Sequence, residues 1–210
     1  MTTWTAADHP RGERGRFRLR ARIEPTGDLG PEPASTPTTP RDGWFEWRTP
    51  EGRLHRADGP AIIRPNGHEE WWRNGVLHRT DGPAYTHPDD GQAWYLHSEP
   101  HRTDGPAVIH SNGHLEWWQD GNRHCADGPA VTRPDGHQEW WQYGELHRED
   151  EPAYIGSDGV MEWYRHGKLH RENGPAVIEP DGSLEWWENN KRKPPEIEAM
   201  LTLVWRARTP

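Results

Sequence analysis

Residues 69–88, EEWWRNGVLHRTDGPAYTHP, decide how this chain is read, because their parts recur along it at one interval. His55, His78, His101, His124, His147 and His170 are each twenty-three residues apart. Trp71, Trp94, Trp117, Trp140, Trp163 and Trp186 form a second column with the same spacing. Each is followed by another aromatic: Trp72, Tyr95, Trp118, Trp141, Tyr164 and Trp187. A third column is the turn Asp-Gly-Pro-Ala at 58–61, 81–84, 104–107 and 127–130, varied as Asp-Glu-Pro-Ala at 150–153 and Asn-Gly-Pro-Ala at 173–176. Self-similarity at a fixed period is the mark of a repeat array, in which each unit buries its apolar face against its neighbours.

Within one unit the segments 70–73 and 84–87 are rich in aromatic and β-branched residues, and the second slot elsewhere holds Val108-Ile109, Val131-Thr132, Tyr154-Ile155 and Val177-Ile178. These are short strands. Three turn signals punctuate them: Asn74-Gly75, Asp81-Gly82, and an Asn-Gly or Asp-Gly such as Asn112-Gly113 or Asp135-Gly136. If all three reversed the chain, successive units would run in opposite directions and like residues would not stack. Two strands per unit are therefore expected, with residues 74–83 forming one broad loop.

The order aromatic strand, Asn-Gly, His, Gly-containing loop, short strand and second Asn-Gly or Asp-Gly, all in twenty-three residues, resembles MORN repeats and their bacterial variants over residues 44 to about 187. Trp-Trp stands here in place of the Tyr-x-Gly-x-Trp spacing, and Arg79-Thr80-Asp81-Gly82 in place of a simpler Gly-x-Gly. The resemblance implies an all-β fold: an elongated single-layer antiparallel sheet of tandem β-hairpins. It also implies a scaffold for protein contact, sometimes for membrane contact, with antitoxins among the bacterial members.

Flanking the array, residues 1–43 hold a basic arm, in which Arg14, Arg16, Arg18, Arg20 and Arg22 alternate with small or apolar residues, and a Pro- and Thr-rich linker over 24–42. This region is expected to be largely disordered, or to act as a basic recognition arm. The repeats occupy 44–193. Residues 194–210 are expected to form a helix starting near Pro195, with Glu196 and Glu198 in its first turn. Its stripe Ile197, Met200, Leu201, Val204 and Trp205 would cover the open end of the array.

Composition narrows the function classes. Mean hydropathy is -1.19 and the apolar share 30%, low for a domain with a thick core, while fourteen Trp argue for order and for a core built on indoles. The net charge is -9; residues 1–43 carry seven Arg against six acids, so the body is the acidic part. An acidic body disfavours nucleic acid and anionic lipid as partners of the repeats, leaving the arm as the segment suited to either. Cys125 is the only cysteine, so no intrachain disulfide forms, and with no apolar run long enough to span a membrane a cytoplasmic protein is expected. The excess of Arg over Lys, twenty-two to three, fits a GC-rich genome.

In a two-strand unit equivalent residues lie about 9.6 Å apart, too far for neighbouring column His to share one zinc at about 2.1 Å from each ligand. Each His is expected to bond within its own loop, for instance His78 to Asp81, and His114 and His137 to be exposed at turns. Neither metal nor cofactor is expected. Five similar His-Asp pairs without a distinguished nucleophile or a pocket argue against an enzyme. Alternation along the strand puts the first Trp of each pair on a packed face and the second on the opposite face beside Glu. Glu70, Trp72, Tyr95, Glu116, Trp118, Glu139, Trp141, Glu162, Tyr164, Glu185 and Trp187 thus form an acidic, aromatic ladder suited to a basic protein partner, the chain's own arm or a second copy included. Arg79 and its equivalents are the residues expected to cover that ladder if it is not a docking surface. The function expected is a non-catalytic interaction scaffold. An inhibitor or antitoxin of one effector, or an arm that binds nucleic acid or anionic membrane, is the alternative.

Overall fold

The computed structural model describes residues 34–37 and 42–208. The arm residues Arg14, Arg16, Arg18, Arg20 and Arg22 lie outside them. The described chain is all-β apart from one C-terminal helix, Pro195–Arg208. Its main element is a fourteen-stranded antiparallel sheet whose strands follow one another in chain order, two per repeat. In the third full unit the pair is Val108–His110 and Leu115–Glu116. The connecting turn closes with the Gly113 N–H donating to His110 O at 3.0 Å and the Asn112 side chain accepting from His114 N at 2.9 Å. The equivalent Asp or Asn does the same in the neighbouring units, as at Asn66, Asp135, Asp158 and Asp181.

A feature absent from the sequence reading lies beside this sheet. Residues expected to be one strand, such as 70–73, split at the first Trp: Glu69–Glu70 belongs to the sheet, while Trp72–Arg73 pairs with Val76–Leu77 in a separate two-stranded ribbon. Six such ribbons accompany the sheet, one per unit. The broad loop expected over 74–83 is therefore half ribbon, and only its second half is loop. Asn74-Gly75 is a two-residue hairpin turn with φ of 52° and 81°, the left-handed pair a type I′ turn requires. The two Gly-type turns reverse the chain and the Asp-Gly-Pro loop does not, so like residues still stack, as the parity argument demanded.

The hinge residue Trp71 serves both sides. Its N–H donates to Ala84 O at 2.7 Å and its carbonyl accepts from His78 N at 2.9 Å, and the pattern repeats at Trp94, Trp117, Trp140 and Trp163. The core is a file of small residues against these indoles. Ala61, Ala84, Ala107, Ala130, Ala153 and Ala176 are all 0% exposed, so the last residue of the Asp-Gly-Pro-Ala turn has no room for a larger side chain.

The two ends of the sheet finish differently. Thr36–Pro37 pairs with Phe45–Arg48 on the first edge, so the linker reading of 24–42 gives way at these two residues to an edge strand, a position that tolerates Pro because its missing N–H would face outward. At the other end Glu198 of the helix accepts the Trp186 backbone N–H at 3.1 Å, and Thr202 accepts the Trp186 indole N–H at 3.2 Å. Trp205 meets Trp186 edge-on at 6.3 Å. The capping contact thus runs through Glu198, Thr202 and Trp205. Much of the expected apolar stripe stays out of it: Ile197, Met200 and Val204 are exposed, and so is Leu203. No helix among the described residues is long and apolar enough to cross a membrane.

Candidate functional site: a ladder of carboxylates and aromatic rings

Cross-strand register places Glu46, Glu70, Glu116, Glu139, Glu162 and Glu185 in one row across the sheet, with Ile62, Tyr85, Val108, Val131, Tyr154 and Val177 in the same row. Directly paired residues share a face, so the Glu side chains stand on one side at about 9.6 Å where they occupy every second strand. Each reaches toward the ring two residues on. The indole N–H of Trp72 donates to Glu70 at 2.6 Å, Trp118 to Glu116 at 3.0 Å, Trp141 to Glu139 at 2.6 Å and Trp187 to Glu185 at 2.9 Å. Tyr164 stands with Glu162 in the same way, and burial together with that carboxylate holds the phenol well above its ordinary range. In the one unit with Ala93 in place of Glu, Tyr95 is raised by burial and then by Glu116. The alternation read from the sequence therefore brings ring and carboxylate together. Every one of these eleven residues is buried or half-buried.

Arg79 does not cover this ladder. It lies over Trp71, the first ring of the pair, at 3.8 Å, while its Nε donates to Asp81 at 2.7 Å and another guanidinium N–H to Pro83 O at 3.3 Å. Arg56, Arg102, Arg148 and Arg171 repeat the stack over Trp47, Trp94, Trp140 and Trp163 at 3.8–4.0 Å. The Asp-Gly-Pro loop is thus a clasp that folds its preceding Arg onto the first indole. Cys125 takes the Arg position in the unit of Trp117.

At two rungs a different residue meets the ladder: Arg192 pairs with Glu185 at 2.9 Å, and Arg123 reaches two units. Arg123 lies 5.1 Å from the Trp118 ring and 5.3 Å from the Trp141 ring, and meets Glu116 at 3.1 Å and Glu139 at 3.8 Å. Its equivalents are Leu77, Pro100, Leu146, Leu169 and Arg192. At the rung between Trp141 and Tyr164 the equivalent residue, Leu146, carries no charge. Glu162 makes no ion pair among the described residues, and burial, then Glu179, Glu185 and Asp158, push its carboxyl up against the single bond from Tyr164.

The His column differs from its expected role. Where a bond inside its own loop was expected, each member passes its Nδ1 to the next unit, accepting the N–H of the first residue of that ribbon's turn. His55 accepts from Asn74, His78 from His97, His101 from Asp120, His124 from Tyr143, His147 from His166 and His170 from Asn189, at 3.0–3.3 Å and always nineteen residues on. All six donors sit at positive φ near 50°. The bond holds a left-handed residue in place even where it is Tyr or His. His137 and His114 are likewise not exposed turn residues: His137 is 6% exposed with Nε2 at 2.6 Å from Glu139, and His114 is half-buried beside Glu116. They follow the strand, not the turn, and so share the carboxylate face. The relation between His110, His114 and Glu116 was missed; the spacing His-x-x-x-His-x-Glu across a three-residue turn was the available signal. No protein-family model matches this chain, and neither does any curated protein.

Proposed function

We propose that the protein is a non-catalytic interaction scaffold that binds a protein partner through the carboxylate and aromatic ladder, taking Arg side chains of the partner between successive rungs. One observation carries this reading. Arg123 occupies the space between Trp118 and Trp141 with carboxylates on both sides, a pattern of contacts that suits a guanidinium held by ring faces and charge together. The next rung offers Trp141, Tyr164 and Glu162, with Glu139 already shared with Arg123; Glu162 makes no ion pair among the described residues, and its raised carboxyl is what an incoming Arg would bring down. The resemblance to MORN repeats supports the same class of function.

The test is titration of the full chain with a synthetic peptide of alternating Arg and small residues, followed by Trp fluorescence and calorimetry at low and physiological salt. Binding is expected to weaken about tenfold or more in Trp141→Ala and in Glu162→Gln, each substitution removing one charged or ring contact of roughly 1–2 kcal/mol. Equal affinity for wild type and both variants would refute the ladder as the docking surface.

A further inference from the structure

Three ladder-face residues outside the rung chemistry converge on one point. His110 and His114 stand opposite each other across the turn of their hairpin, where His110 N donates to His114 O at 2.9 Å. Their rings stack at 4.6 Å with an interplanar angle of 13°. Both present Nε2 to the same atom, Glu116 Oε1: His110 at 3.2 Å and His114 at 3.7 Å. All three donor atoms lie within 4.8 Å of one another, and among the described residues this is the one group of three His, Cys, Asp or Glu so placed. Four ligands about 2.0–2.1 Å from a tetrahedral ion are separated from each other by roughly 3.4 Å. The spacings around Glu116 bracket that value.

The second oxygen of Glu116 explains why this atom is available. Oε2 accepts from the Trp118 indole at 3.0 Å and from Arg123 at 3.1 Å, which fixes the carboxylate plane and turns Oε1 toward the imidazoles. Such outer partners orient the ligands of metal sites. The Arg123 charge is shared with Glu139, at 3.8 Å. His114 Nε2 is buried without a hydrogen-bond partner. His110 is about a third exposed, so the point of convergence is open to solvent on one side and has room for a water ligand.

Corresponding positions elsewhere do not reproduce the set. The His137–Glu139 pair has Arg133 where His110 would stand, and the His68–Glu70 pair has Arg64 there. His87, which stacks edge-on against His68 at 5.4 Å, spends Nε2 on Asn66 and Nδ1 on the Asp89 N–H. Among the described residues the sheet thus carries three such His–Glu pairs and one His-His-Glu triad.

We propose that His110 Nε2, His114 Nε2 and Glu116 Oε1 bind a divalent transition-metal ion of the zinc type, with water completing the coordination. Two imidazoles and one carboxylate suit that class of ion better than magnesium or calcium, which take oxygen ligands. On binding, the ion replaces any proton shared between the imidazoles and Oε1. Each neutral ring carries its proton on Nδ1, and a ring that was charged releases one proton to solvent. The site lies one turn from Trp118 but does not depend on the docking proposal, because it needs no partner.

The experiment uses the full chain stripped with a chelator, titrated with Zn2+ by calorimetry and with Co2+ by visible absorbance. One equivalent is expected at this site, with a Co2+ spectrum showing nitrogen ligation, and the Tm is expected to rise with free Zn2+ as a ligand that binds only the folded state requires. His110→Ala and His114→Ala should each weaken this binding at least tenfold and abolish most of the Tm rise, whereas His137→Ala should leave it within about twofold. His110 is partly exposed, so its truncation leaves the fold intact, which far-UV circular dichroism checks. Failure of the wild type to bind Zn2+ or Co2+, or binding equal in the His110→Ala/His114→Ala double variant, would overturn the proposal. Loss of peptide binding with metal binding intact would count against the docking surface alone.

Discussion

A single imidazole in each unit accepts a hydrogen bond, and His78, His124 and His147 also lie against the ring of the residue they hold, as His147 does with His166 at 4.4 Å between ring centres. Replacing His147, which is 5% exposed, by Ala leaves the His166 N–H without its acceptor and a cavity beside the ring. The expected cost is about 1–3 kcal/mol, read from denaturant unfolding. Burial holds His55, His78 and His114 below the ordinary imidazole value of 6.5. With folded values under the unfolded one, the unfolded chain binds more protons in that window, so stability is full above about pH 6.5 and is lost as pH falls toward the folded values. The denaturation midpoint at pH 5.5 should therefore lie below that at pH 7.5. Glu162 has the opposite sign, its folded value being raised, so its ionised form weakens the fold at neutral pH. Glu162→Gln should raise the midpoint at pH 7 while it lowers peptide affinity, a combination a purely structural role would not produce. Cys125→Arg restores the guanidinium that five other units place over the first indole, and should stabilise by about 0.5–1 kcal/mol.

Among elements, the turns and sheet strands were legible because their signals are local: Asn74-Gly75 needs only two residues to declare a hairpin, and Val131-Thr132 only a β-branched pair. The ribbon was hidden because nothing in 70–73 marks Trp71 as the hinge; alternation of side chains runs unbroken through it. Contacts that cross between units were hidden too. Arg79 over Trp71 and His78 to the N–H of His97 depend on how a loop closes and on the register of neighbouring copies, neither of which a periodic string states. The helix was legible in extent but not in contact, since Glu198 and Thr202 carry much of it. Glu198→Ala should therefore cost about 1–3 kcal/mol by freeing the Trp186 N–H. Size exclusion should show a larger species than wild type if the sheet end it guards becomes open to a second chain.

For the whole molecule, contacts link each unit mainly to its neighbours, so stability is close to a sum over units and interfaces. Excising one full period, residues 132–154, returns every column to register and should leave a folded chain with a lower midpoint and an m-value reduced in proportion to the surface lost. Excising one residue fewer breaks the register and should abolish cooperative unfolding. The all-β class, the order of strands and the sharing of one face by Glu and the second aromatic were legible from the period. The half-buried state of that face was not, because it depends on the indole-to-carboxylate bonds that fold the rings down.

The nineteen-residue reach of each imidazole runs in one direction only, toward the C-terminus. During translation the acceptor therefore leaves the ribosome before its donor, by about 1–4 s at ordinary elongation rates of 5–20 residues per second. A hairpin closes in microseconds. Every newborn turn thus meets an older neighbour already in place to grip it, so the array can be laid down in the order it is made, and the helix that stops it emerges after the last repeat.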